Sequence, residues 1–288
     1  MTTGRSFGVR SSTADLRKVL VQRPGAAFGR AHDDPAHGFL HPVDLERAQR
    51  EHDGLVAALD GLGVEVHDLG AADAPDPDLV YVFDPLLVVD AGAVPLRPGK
   101  PNRAAEPAIV EAWMNGQGVP TAGRIEAPGS VEAGDTVWLR DALFVIGRSL
   151  RTNDAGAREL AAIVGGDVRI VDLPYWRGPA ELVHLMSVIS PVADDLAVVF
   201  RPLLPAGLHE WLAELGIRTV DVPEAEYPTL GCNVLAVRPG VVIVAEGNPG
   251  TRRGLEAAGV EVHAVALAEV GENGCGGVTC LTRPILRG

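Results

Sequence analysis

Lysine is nearly absent from this 288-residue sequence: Lys18 and Lys100 are the only two among 25 basic side chains, which face 38 acidic ones. The formal charge of −13 leaves no basic footprint of the kind a general nucleic-acid binder needs. It also opposes docking on an anionic membrane. Cysteine is scarce too. Cys232, Cys275 and Cys280 are an odd, low number, which excludes a disulfide scaffold and fits a reducing cytosol. No apolar run approaches the ~18 residues that span a bilayer. The opening MTTGRSFGVR lacks the apolar core of a secretory signal. A cytoplasmic protein is therefore expected. Its 47% apolar and 22% charged residues are ordinary for a globular chain of one or two domains. An acidic surface attracts cations, so a small cationic substrate is compatible with the charge.

One pattern recurs along the chain. A helix-like apolar stripe ends in a glycine, and a short alternating strand follows. It appears as LVAALDGLGVEVHDL (55–69), IVEAWMNGQGVPTAG (109–123), ELAAIVGGDVRIVDL (159–173), LHEWLAELGIRTVDV (208–222) and LEAAGVEVHAVAL (255–267). The marker glycines are Gly63, Gly118, Gly166, Gly216 and Gly259. Between them lie segments that read as strand pairs with a turn signal in the middle, such as Asp84-Pro85, Arg140-Asp141, Asp194-Asp195 and Pro239-Gly240. The unit is strand pair, helix, strand. KVLVQRPG (18–25) and VTCLTRPIL (278–286) would complete the first unit from the two termini and close a ring. No linker divides the chain, so one domain over 1–288 is expected. The aperiodic segment 25–41, rich in Gly, Pro and His, is long enough to act as a lid.

Several residues stand where chemistry is expected. Cys280 follows the glycine-rich run GENGCGG and opens an apolar strand, a placement that suits a nucleophile. Cys275 and Cys232 are weaker candidates. Cys-x4-Cys without a second pair is a poor zinc signal. His184 lies in the apolar context ELVHLMSVIS, whereas His32, His37 and His41 read as solvated loop residues and His52, His67, His209 and His263 as surface positions. Asp84 interrupts VYVFDPLLVV and Glu132 heads EAGDTVW, where a carboxylate calls for a cationic partner. Arg103 and Arg151 occupy corresponding stretches after two strand pairs.

Taken in order, these segments resemble the guanidino-group-modifying superfamily with the pentein fold, and most closely its dimethylarginine dimethylaminohydrolase branch. The resemblance spans LVQRPG (20–25), YVFD (81–84), RPGKPNR (97–103), EAGD (132–135), RTN (151–153), HLMS (184–187) and GGVTCLTRPIL (276–286). It implies a five-bladed α/β propeller of ββαβ repeats. It also implies Cys280 as nucleophile, His184 as acid and base, and Asp84 and Glu132 as the pair that grips a guanidinium. Tyr81 and Phe83 lie in the same substrate-binding segment as Asp84. Arg103 and Arg151 are implied to receive a substrate carboxylate. Three positions depart from the pattern: Phe83 stands where relatives often carry an acid, Ala133 replaces a glycine, and Met186 replaces a lysine. Arginine deiminases carry a carboxylate at the position of Met186 and a helical insertion for which this chain has no room.

The chemistry is coherent with those residues. A guanidinium is planar and always charged, so two carboxylates can hold its edges while its carbon faces a thiol. Hydrolysis of an N-omega-methylated arginine to citrulline through a covalent S-alkylthiouronium is the expected reaction. No metal and no organic cofactor is called for, and a homodimer is compatible with the resemblance. Hydrolysis of N-hydroxyarginine, arginine or agmatine, amidino transfer to an amine, and a non-catalytic binding module are the competing readings.

Overall fold

The computed structural model describes residues 5–178 and 182–288. Its strands are β1 (Leu16–Val21), β2 (Glu65–Asp68), β3 (Leu86–Val89), β4 (Gly92–Pro95), β5 (Thr136–Arg140), β6 (Leu143–Arg148), β7 (Asp167–Asp172), β8 (Ile189–Ala193), β9 (Leu196–Val199), β10 (Arg218–Asp221), β11 (Leu235–Arg238), β12 (Val241–Ala245), β13 (Glu261–Val265) and β14 (Arg283–Arg287). The helices are α1 (Ala26–Gly29), α2 (Leu45–Gly61), α3 (Glu106–Gly116), α4 (Asp154–Val164), α5 (Ala206–Glu214) and α6 (Pro249–Ala257). They build five small sheets on one plan. In the sheet β5-β6-β7, the first two strands form an antiparallel hairpin, α4 crosses over, and β7 returns parallel to β6. The sheets β8-β9-β10 and β11-β12-β13 repeat this order. The fold is the five-bladed α/β propeller of the pentein class.

The termini complete one blade together. β14 pairs antiparallel with β1, and β1 pairs parallel with β2 across α2. The N-terminal repeat thus takes its first strand from the C-terminus, as expected. The marker glycines carry the helix-ending conformation: φ is +82° at Gly63, +79° at Gly118, +72° at Gly166, +67° at Gly216 and +86° at Gly259.

Two expectations need correction. The segment after Gly118 forms no full strand, and only an isolated parallel bridge joins Thr121 to Ala93. Pro120 has no N–H to add to a ladder, which limits pairing there. The Asp84-Pro85 turn does not split a hairpin. It precedes β3, and the β3–β4 turn falls at Asp90-Ala91. Asp84 is thereby set at the entrance of the blade's first strand.

The first strands of the blades are buried, and the last strands are partly exposed. LLVV in β3 and the first four residues of β5 are buried, while β2 has no buried residue and β7 buries only Val171. Near-continuous apolar runs suit strands covered on both faces. α4 turns Ala157 and Leu160 inward and is capped by Asn153, whose side-chain oxygen accepts from the Gly156 amide at 2.8 Å. Across residues 26–41, Phe28 and Phe39 pack edge-on at 5.2 Å, and the amides of Leu40 and His41 both donate to Asn273 Oδ1. His37 is not a solvated loop residue: its Nδ1 lies 3.1 Å from Asp78 Oδ2. His52 is likewise buried rather than on the surface.

Candidate active site

Each blade enters its first strand through a tight turn, and each turn or its edge carries at least one polar side chain. Asp84 precedes β3, Glu132 precedes β5, His184 precedes β8, Asn233 precedes β11 and Cys280 precedes β14. His184 is therefore outside the strand, at the start of a single 3-10 turn that spans Leu185–Ser187. Glu181, the first residue of the apolar segment read around it, lies outside the described residues. The repeat makes five entrances equivalent, so residues far apart in sequence face one another.

Glu132 is fully buried and bonds three groups. His184 Nε2 lies 3.0 Å from its Oε2, Arg151 donates to its Oε1 at 2.9 Å, and the Lys100 amide donates at 3.1 Å. Asp84 is buried as well. Its Oδ1 accepts from the Gly134 amide at 3.0 Å and its Oδ2 from Arg103 at 2.6 Å. Gly134 has no room for a side chain, because a Cβ there would stand 2.8 Å from His184 Nδ1 and 3.0 Å from Asp84 Oδ1. Asp84 and His184 are thus close neighbours over one glycine. The Phe83 amide donates to the Cys280 carbonyl at 3.1 Å, which ties the Asp84 turn to the cysteine turn. His184 and Cys280 are partly exposed, whereas the two carboxylates behind them are buried.

The electrostatics follow from that arrangement. Burial works against a charged His184, but Asp135, Glu132 and Asp84 outweigh it and raise the imidazole to about 9. Burial also opposes the charge on Glu132, yet His184, Arg151 and Arg103 hold it well below the usual carboxylate range. Asp135 is pushed up to about 6, mainly by burial. Cys280 is pushed up to about 12 by burial and by Asp84, against the opposing bond from Asn233.

The arginines differ from each other. Arg103 is only 4% exposed. It donates to Glu106 through Nε and Nη2, to Asp84 through Nη1, and to the Asp78 and Tyr81 carbonyls through Nη2. The Arg151 side chain keeps 24% of its surface exposed. Tyr81 is buried and its hydroxyl donates to the Val270 carbonyl at 3.2 Å. Phe83 is buried with the Arg283 guanidinium stacked on its ring at 3.7 Å.

The glycine-rich run before Cys280 makes room for neighbouring side chains of the protein. A Cβ at Gly274 would strike the Tyr81 hydroxyl and the Phe39 ring, one at Gly276 the Tyr81 ring, and one at Gly277 would stand 2.4 Å from the Asn233 side chain. These glycines admit protein side chains. Asn233 accepts from the Thr279 amide at 2.9 Å and donates to Cys280 Sγ at 3.4 Å. Sequence reasoning passed over Asn233, although its place before a first strand matches the others. It also passed over Asp135, which lies inside EAGD and accepts from the Leu185 amide and the Ser149 hydroxyl. His37, Asp76 and Asp78 could in geometry share an ion, but Lys100 Nζ already sits 2.6 Å from Asp78.

Known proteins match this chain along its length. An arginine deiminase family model matches residues 204–287. The dimethylarginine dimethylaminohydrolase of Pseudomonas aeruginosa is 31% identical over 244 residues, which are 74% of this chain and 94% of the relative. That of Streptomyces coelicolor is 30% identical over 271 residues, 92% of this chain and 96% of the relative. Among solved structures, a cysteine-to-serine variant of the P. aeruginosa enzyme complexed with citrulline superposes with a TM-score of 0.78 at 26% identity, covering 93% of this chain and 99% of that one. Among the described residues, no helix is long and apolar enough to cross a membrane. The chain belongs to the dimethylarginine dimethylaminohydrolase family within the pentein superfamily, and it is a hydrolase that breaks C–N bonds of guanidino groups.

Proposed function

We propose that the chain hydrolyses N-omega-methylated arginine to citrulline and a methylated amine, with Cys280 as nucleophile. One observation carries the reading: two buried carboxylates on neighbouring blades, Asp84 and Glu132, flank His184, and each already bonds a guanidinium of the chain itself. A substrate guanidinium has the same planar donors. Arg103, almost wholly buried, holds Asp84 in place. Arg151, partly exposed, is the arginine able to turn from Glu132 to a substrate carboxylate once the substrate takes its place.

The steps follow from the charges. The Cys280 thiol is neutral near pH 7, and a cationic substrate beside it favours loss of its proton to solvent. Asn233 donates to the sulfur and stabilises the thiolate. Sulfur bonds to the guanidinium carbon. Protonated His184 gives its proton to the departing amine as the C–N bond breaks, leaving an S-alkylthiouronium. Water then attacks the same carbon and gives one proton to His184; as the C–S bond breaks, the remaining hydroxyl proton passes to the departing sulfur, releasing citrulline and the free thiol. Residues 25–41 serve as a lid, with the aromatic pair Phe28 and Phe39 as its packed base.

Relatives support this order. One solved dimethylarginine dimethylaminohydrolase, a histidine-to-glycine variant, is an adduct with S-methyl-L-thiocitrulline. The deiminase match over 204–287 gives arginine itself as the second reading. Citrulline release measured with arginine, N-methylarginine, asymmetric dimethylarginine and N-hydroxyarginine separates them. Methylated arginine should turn over fastest, and a preference for arginine would overturn the substrate assignment. Cys280→Ser should lose at least about 10³-fold in turnover while still binding substrate. Full activity in that variant would end the mechanism.

A further inference from the structure

Beyond the floor of the site lies a mostly apolar cavity with a few unpartnered polar groups in its wall. A cavity of about 50 Å³ is lined by Phe83, Met186, Trp138, Thr279, Arg283 and Arg287, among others. Phe83, Met186 and Thr279 stand within two residues of Asp84, His184 and Cys280, so the cavity backs onto the site without containing its reacting groups. It has room for an ion the size of a water molecule or somewhat larger.

Its walls are unusual for so acidic a protein. No aspartate or glutamate lines the cavity, yet two arginines do. Both belong to β14, four residues apart, and both line the cavity. Among the described residues neither has a carboxylate at ion-pair distance. Arg283 bonds the Phe83 carbonyl, and Arg287 bonds the carbonyls of Ala14 and Ala236. Four buried polar atoms remain without a partner there: Arg283 Nε, Arg287 Nε, Trp138 Nε1 and Thr279 Oγ1. All four residues are more than nine-tenths buried. Three of the four atoms can only donate, and a hydroxyl can do so.

Buried cations without counter-charge are expensive, and buried donors without acceptors cost further. Water could accept from these donors, but the opposing charge would then be only that of Asp84 on Arg283 and of Asp15 on Arg287, neither in direct contact. A monovalent anion answers both deficits. We propose that this cavity is an anion site for chloride or a halide of similar size, held by the Nε groups of Arg283 and Arg287, the Trp138 indole N–H and the Thr279 hydroxyl. The bound ion compensates the guanidiniums of β14, the strand that closes the ring and follows Cys280.

Bromide tests this directly on the whole protein. Crystals grown in sodium bromide should show an anomalous peak in the cavity within hydrogen-bond distance of the Arg283 or Arg287 Nε. In solution, bromide titrated against sodium gluconate at fixed ionic strength should raise the melting temperature along a saturable curve. Trp138→Phe keeps the ring and removes one donor, and Arg287→Met removes one cation. Each should weaken the fitted bromide affinity about ten-fold or more. A cavity that holds only water in bromide-grown crystals overturns the proposal, whatever the variants do. So does a bromide response of the same affinity in folded Arg287→Met.

Discussion

His184 sets the pH behaviour of the site because its charge depends on three carboxylates, Asp135, Glu132 and Asp84, of which only Asp135 stands outside the proposed substrate grip. Asp135 is the strongest of those that raise it; it acts through its charge and is held in place by the Leu185 amide and the Ser149 hydroxyl. The imidazole titrates near 9, above its ordinary 6.5, so its favourable pairing is complete below about 6.5 and lost as pH rises through about 9. Turnover that needs the protonated form should fall on the same limb. Asp135→Asn keeps the shape and removes the charge. The basic limb of the kcat/KM profile should then move down by about one pH unit or more. An unmoved limb would mean that another group sets it. Cys280, His184, Asp84 and Glu132 stood out in sequence because an isolated polar residue at the edge of an apolar strand is visible to the eye. Asn233 did not stand out, since asparagine before a strand is also ordinary turn chemistry. The partners of Arg103 were hidden for another reason: its burial comes from Glu106, Asp84 and two carbonyls that only the folded turn brings together.

Two elements near the site hold it by different means. The turn before β14 is a fitted surface for Tyr81, whose ring leaves no space at Gly276. Gly276→Ala would put a Cβ 2.3 Å from a Tyr81 ring carbon and should cost about 1–3 kcal/mol in thermal or denaturant unfolding. A double variant with Tyr81→Ala should recover part of that loss, which checks the cause. The segment 26–41 is held by the packed Phe28–Phe39 pair and, in addition, by polar bonds. His37 meets Asp78, which burial would push up but which His37, Arg103 and Lys100 hold down, and Lys100 Nζ also donates to the His37 carbonyl. The His37 imidazole is raised chiefly by Asp78. Its contribution is therefore full below about 6.5 and fades as pH rises through the raised value. Amide exchange across 26–41 should accelerate relative to the rest of the chain over that range, and His37→Gln should flatten the pH dependence. The helix–glycine–strand pattern was legible because left-handed φ values demand glycine. The missing outer strand after α3 was not, since alternation predicted pairing that Pro120 limits to one bridge.

At the scale of the whole molecule, the ring depends on its last strand. β14 supplies the first strand of the blade whose other members come from the N-terminus, and Gly8 also bridges to Leu286. Deleting 283–288 should remove the β1–β14 ladder, unfold the adjoining blade and abolish activity although every proposed reacting residue is retained. Circular dichroism and citrulline release would follow the two losses together. Ring closure could be read from sequence because the unit was one strand short at one end and one strand long at the other. The inter-blade bonds of the site could not, because no periodicity reports which side chains meet across a centre.

The delivery of one polar residue by every blade has a consequence for how the protein is made. Asp84, Glu132, His184 and Asn233 all leave the ribosome well before Cys280, and the strand that fixes Cys280 follows it. A nascent chain can thus carry nearly the whole site and still be inert. Under the proposed function, reactivity toward a guanidinium cannot arise before the Cys280 turn and β14 have been made.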